Sequence, residues 1–164
     1  MWLRNGDSEK TLPGKVIWII GRRDSGKTTL IDAIQKARPG TVAADDFLRC
    51  RVAIRGKDRH AYNQMIGLSY ALAFQGFDVL VPAGARRREL RDYIRSEIPS
   101  AIFIYLKGRG KPCFDYEEPG ADEKMITLDS LSVQEELQIV MEKIWQRKKE
   151  PEARYPRTGF AKDY

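Results

Sequence analysis

Residues 21–28 read Gly21-Arg22-Arg23-Asp24-Ser25-Gly26-Lys27-Thr28 and fit the pattern G-x-x-x-x-G-K-[ST]. What lies on either side constrains the fold most. Val16-Ile17-Trp18-Ile19-Ile20 is a short apolar run of strand type, and Thr29-Leu30-Ile31-Asp32-Ala33-Ile34-Gln35-Lys36-Ala37 has helical spacing and stops at Pro39-Gly40. Strand, glycine-bounded loop and helix in this order form a phosphate cradle, because the loop amides converge on a concavity and the helix N-terminus adds partial positive charge. The expected ligand is a nucleoside triphosphate, ATP, bound by residues Gly21, Arg22, Arg23, Asp24, Ser25, Gly26, Lys27, Thr28 and Thr29. Lys27 reaches the β- and γ-phosphates and the Thr28 hydroxyl ligates Mg²⁺ in such loops.

The rest of the chain alternates in the same way. Strands are expected near residues 16–20, 41–45, 78–82, 101–106 and 125–128, and helices near 27–38, 58–76, 86–97 and 132–147. Ser132-Val133-Gln134-Glu135 is a capping-box signature for the last helix. This alternation predicts an α/β fold: one three-layer domain with a five-stranded parallel sheet flanked by helices. The expected organisation is an N-terminal extension over residues 1–13, the domain over 14–146, and a basic, aromatic-containing tail over 147–164. The tail reads first as a solvated, partly ordered extension, with a docking arm whose aromatics anchor a subunit contact or stack on a nucleotide as the alternative; a homodimer stays open.

With 164 residues, 42% hydrophobic and 32% charged, the chain has the composition of a globular domain. No apolar run approaches the ~20 residues needed to cross a bilayer. Cys50 and Cys113 lack metal-ligand spacing, and the expected setting is a reducing cytoplasm. The net charge of +6 is unevenly placed. Arg22, Arg23, Arg49, Arg51, Arg55, Arg86, Arg87, Arg88, Arg91, Lys107, Arg109 and Lys111, twelve of the 29 basic residues, follow the ends of the first four strands. Ligands of doubly wound sheets bind at that edge, so the second substrate is expected to be anionic: a phosphate, a sulfate or a nucleic-acid backbone. No RNA- or DNA-binding module is recognisable. Phosphoryl transfer also needs a carboxylate to orient a hydroxyl or hold the metal's water shell. Asp46, in the Asp45-Asp46 pair that ends the second strand, is the expected residue.

The ordered set of motifs resembles the adenylylsulfate kinases. Lys15 to Gly21, running into Ser25-Gly26-Lys27-Thr28-Thr29-Leu30, is similar to that family's Trp-bearing strand and G-L-S-G-S-G-K-S-T loop. Asp46-Phe47-Leu48-Arg49 resembles its D-N-V-R step, and Asp58-Arg59 begins a segment similar to D-R-E-E-N-I-R-R-I-G that ends at Ile66-Gly67. Ala73-Phe74-Gln75-Gly76-Phe77 is similar to A-x-A-G-L, Arg88 falls on the Arg of S-P-Y-R, and Leu128 to Glu135 is similar to L-D-T-x-x-x-S-V-E-E. The resemblance runs from about residue 14 to 145. It implies a Mg-ATP-dependent kinase acting on the 3′-hydroxyl of adenosine 5′-phosphosulfate, with Lys27 and Asp46 catalytic, Thr28 and Asp46 serving Mg²⁺, and Arg49, Arg59 and Arg88 gripping the anionic groups.

The departures fall in the acceptor half. Tyr62-Asn63-Gln64-Met65 stands where the family has N-I-R-R, Ala85-Arg86-Arg87 replaces S-P-Y, Arg22-Arg23-Asp24 replaces L-S-G, and the long lid shrinks to Lys107-Gly108-Arg109-Gly110-Lys111-Pro112-Cys113. Losing one Arg from a charge-assisted phosphate contact costs on the order of 1.5–3 kcal/mol. Arg86 and Arg87 are placed to replace the two that are gone. Two alternatives stay open beside a kinase of a small anionic hydroxyl compound. One is a kinase of another acceptor (a nucleoside, a sugar or a nucleic acid). The other is a regulatory or assembly protein that binds nucleotide without catalysis.

Overall fold

In the computed structural model, which describes residues 11–44 and 59–146, five parallel strands form one sheet in the order β2-β3-β1-β4-β5. They are β1 (Val16–Ile20), β2 (Val42–Ala43), β3 (Val79–Ala83), β4 (Ile102–Lys107) and β5 (Ile126–Asp129). The helices are α1 (Lys27–Ala37), α2 (Arg59–Phe74), α3 (Arg88–Glu97) and α4 (Val133–Trp145). The five-stranded three-layer fold expected from the alternation is the one present. β2 closes after two residues rather than five, and Asp45, Asp46 and Arg49 lie outside the described residues.

β1 is central because its sequence leaves it no other place. All five of its side chains are apolar and all are buried, which suits a strand covered on both faces and not one at an edge. It is in register with β3 (Val16↔Val79 to Ile20↔Ala83) on one side and with β4 (Ile17↔Ile102 to Ile20↔Tyr105) on the other. The period of two then sorts side chains between two cores. Val16, Trp18 and Ile20 join Val79, Val81, Phe103 and Tyr105 under α2 and α3, through Tyr62, Ile66, Ala73, Ile94 and Ile98. Ile17 and Ile19 join Leu80, Ile104, Leu106 and Leu128 under α1 and α4, through Leu30, Ile31, Ile34, Val140 and Ile144.

α4 starts where its capping box dictates. Ser132 Oγ accepts from the Glu135 amide, and the Glu135 carboxylate accepts from the Ser132 amide at 2.8 Å. The aromatic spacing Tyr62, Tyr70, Phe74 predicts a core or pocket-wall stripe, but only Tyr62 is buried. Phe74, on the last turn of α2, is 58% exposed and stacks on Tyr70.

Candidate functional site

The loop between β1 and α1 is built by backbone that only certain residues tolerate. Gly26 caps α1 at φ +97°, and Asp24 takes φ +59°. A Cβ on Gly21 would lie 2.7 Å from Ser25 Oγ, so the loop can fold tightly on itself only with glycine there. No acidic residue stands in the first turn of α1 and no side chain caps it. Its amides and its dipole are therefore left to an outside anion. Lys27 Nζ donates to the carbonyls of Gly21 (2.9 Å) and Arg22 (2.6 Å) and to Ser25 Oγ (3.3 Å). Those contacts hold the ammonium within the loop. Burial pulls its pKa below the ordinary lysine value, and the nearby Asp24 carboxylate opposes the shift. Thr28 and Thr29 are exposed on the first turn of α1.

The residues that replace small ones in this loop are held by the segment after β4, Arg22 and Asp24 through their side chains and Arg23 through its backbone. Lys111 N donates to Arg23 O at 2.8 Å, and Lys111 Nζ pairs with Asp24 at 3.2 Å. Gly110, at φ +94°, lets the two backbones approach: a Cβ there would sit 2.5 Å from Arg23 O. Arg22 pairs with Glu118 while its guanidinium lies over the Tyr116 ring. Tyr116 is buried, which pushes its phenol up to about 12. Arg109 lies beside Gly26, donates to Leu131 O and pairs with the buried Glu136 of α4.

A cavity of about 830 Å³ opens between α2 and α3 at the carboxyl end of β3. Pro82 and Ala83 line it and are in register with Ile19 and Ile20, so this cavity lies level with the strand end that carries the phosphate loop next door. Arg59, Arg86 and Arg87 line it, together with Tyr62, Tyr93, Glu89, Asp92 and Asp115. Arg59 lies over the Tyr93 ring at 4.2 Å, and the Tyr93 hydroxyl donates to Asn63 at 2.7 Å. The wall turns on Ala85, held in left-handed backbone at φ +44°. Its amide donates to Tyr62 Oη, and its carbonyl accepts from Arg91.

The structure thus brings the loop residues together and places Arg59, Arg86 and Arg87 in one neighbouring cavity. It turns Arg88 and Arg91 elsewhere. Arg88 makes a two-pronged pair with Asp122 (3.2 and 2.5 Å), which holds the Asp122 carboxyl below its usual range. Arg91 is wholly buried. Its Nε pairs with Glu123, and its Nη1 donates to the carbonyls of Ala85 and Glu117. The basic edge read from the sequence is therefore less positive than the list of residues implies. The acidic segment Asp115 to Glu123 folds back across it, over separations of 29 to 34 residues for α3 and its approach. Among the described residues, only Arg23 and Arg87 of that edge have side chains with no partner. Sequence reading gave Asp115 and Glu117 no role beyond a resemblance of Phe114 to Pro119 to the family's D-D-P-Y-E-x-P, and missed Asp122 and Glu123. Their only local signal is a run of carboxylates with no helical or strand period.

Among the described residues no group of three or more His, Cys, Asp or Glu side chains could hold a metal ion, and no helix is long and apolar enough to cross a membrane. No family model and no curated protein matches the sequence. Solved structures do. A mutant of the APS kinase of Mycobacterium tuberculosis aligns with TM-score 0.62 and 20% identity over 79% of this chain and 95% of that one. A sugar kinase from Janibacter aligns with TM-score 0.57 and 19% identity (79% and 93%), and a gluconokinase from Sinorhizobium meliloti with TM-score 0.52 and 18% identity (79% and 90%). At such identities the likeness speaks for the fold, which is that of the P-loop kinases and is similar to that of the APS kinases.

Proposed function

We propose that this chain is a Mg-ATP-dependent kinase that transfers the γ-phosphate to a hydroxyl of a small anionic compound, adenylylsulfate at its 3′-hydroxyl or a related molecule. The observation that carries this reading is the juxtaposition at the ends of β1 and β3. An uncapped helix N-terminus with Lys27 tethered inside its loop stands beside a cavity large enough for a nucleoside-sized acceptor. Lys27 would exchange its carbonyl partners for phosphate oxygens and so act where charge develops. Arg87 and Arg59 would take the acceptor's anionic group, with Tyr62 and Tyr93 as apolar walls. The exposed Thr28 hydroxyl suits a hard cation such as Mg²⁺, and Asp46 is assigned with it from the sequence. Bound Mg²⁺ would neutralise phosphate charge. An APS kinase of this fold has been solved in complex with AMPPNP and APS, which supports the pairing of a nucleotide site with an acceptor site.

The test is ADP release from Mg-ATP, with product identification, in the presence and absence of adenylylsulfate and of a panel of sugars, sugar acids and nucleosides. The expected result is acceptor-dependent ADP formation by the wild-type protein that falls at least about 100-fold in Lys27→Ala, the scale of losing a preorganised charge contact. Undiminished activity in Lys27→Ala would sink the reading. Tight nucleotide binding with no transfer to any acceptor would favour a catalytically silent nucleotide-binding protein instead.

A further inference from the structure

The cavity between α2 and α3 carries its own counter-ions. Its described lining includes three guanidiniums (Arg59, Arg86, Arg87) and three carboxylates (Glu89, Asp92, Asp115). A site shaped for an acceptor with three or more negative charges would hold a larger surplus of cations, since an unmatched anion loses its hydration without repayment. Arg86, which stands where the sequence suggests a replacement phosphate grip, is taken: Nη1 lies 3.3 and 3.2 Å from the two oxygens of Asp115. Asp115 is itself fixed by the Cys113 thiol, which donates to Oδ1 at 2.7 Å, and that bond together with Arg86 holds its carboxyl below the usual range. The neighbouring Glu117 binds the same turn twice. Its amide donates to Arg86 O at 2.8 Å, and its carboxylate accepts from the Arg88 amide at 3.0 Å, filling the place at the N-terminus of α3 where an acceptor anion could otherwise sit. Arg87 is left with a side chain free of partners among the described residues.

Resting on the kinase reading above, we infer that Asp115 is a specificity-determining residue. It cancels Arg86, so the cavity takes a hydroxyl compound carrying no more negative charge than Arg59 and Arg87 can match, in preference to more highly charged acceptors. Glu117 enforces the same limit by closing the start of α3.

The experiment compares wild type, Asp115→Asn and Asp115→Asn/Arg86→Gln. Inorganic phosphate is titrated calorimetrically at fixed ionic strength into each protein after saturation with Mg-AMPPNP. The phosphate loop is the same in all three, so differences among them report the cavity whether or not nucleotide occupies the loop. Asp115→Asn should bind phosphate about two- to fivefold more tightly than wild type, the range that one partly exposed ion pair commands. The gain should vanish in the double variant. Equal or weaker binding by Asp115→Asn, or no phosphate response in any of the three, overturns the inference. Failure of the kinase reading shows separately, as no acceptor-dependent ADP release from Mg-ATP by the wild-type protein.

Discussion

Replacing Arg91 by Met should be the most damaging single change outside the phosphate loop. The side chain is 0% exposed and its partner Glu123 is 1% exposed, with Nε 2.9 Å from the carboxylate. Methionine keeps much of the volume but leaves Glu123 charged in a place without water, and removes the donor to Ala85 O and Glu117 O. Removing one partner of a buried pair costs about 3–5 kcal/mol, a large part of a domain's whole stability. For a domain of this size, at roughly 2–4 °C per kcal/mol, the melting temperature should fall by about 6–20 °C. Urea unfolding of wild type, Arg91→Met, Glu123→Leu and the double variant measures the coupling directly. The double variant removes both charges and should recover at least ~2 kcal/mol relative to the sum of the single changes. A cost for Arg91→Met below ~1 kcal/mol, or simple additivity, would refute the view that this pair bolts the acidic segment to α3.

Two further outcomes follow from the loop geometry. Lys27 has a lowered pKa in the free protein, and a bound triphosphate raises it. Nucleotide affinity is therefore full below the free-protein value and lost as pH rises through it. Titrating AMPPNP from pH 7 to 10 should show weakening that begins below the ordinary lysine value of 10.5. Lys27→Arg should show none of that titration, and a flat wild-type profile would refute the assignment. Gly110→Ala meets both a φ of +94° and Arg23 O at 2.5 Å, whereas Gly40→Ala meets a φ of +97° with nothing within 4 Å. Both should lose about 1 kcal/mol or more to backbone strain. Only Gly110→Ala should also weaken AMPPNP binding, by about tenfold or more as it displaces the phosphate loop; equal affinities in the two variants would count against the contact.

What the sequence determined by itself was everything written in short-range pattern. The run Val16 to Ile20 is short and apolar and reads as a strand, bounded by the glycine that opens the loop. Gly21 and Gly26 bracket a loop whose backbone other residues would not allow. Ser132 and Glu135 mark the start of α4 three residues apart. Helix and strand periods, turn backbone and caps depend on neighbours a few positions away, so a single chain displays them. The tertiary structure alone decided which charges are free. Arg86, Arg88 and Arg91 look alike in sequence. One is paired with Asp115 at a cavity wall, one is paired with Asp122 away from the cavity, and one is sealed in the interior against Glu123. Their partners lie 29, 34 and 32 residues away, and no local period links a guanidinium to a carboxylate across such a gap. Only the return of the chain over the sheet's edge brings them within reach. The strength of each pair is then set by how much water that return excludes.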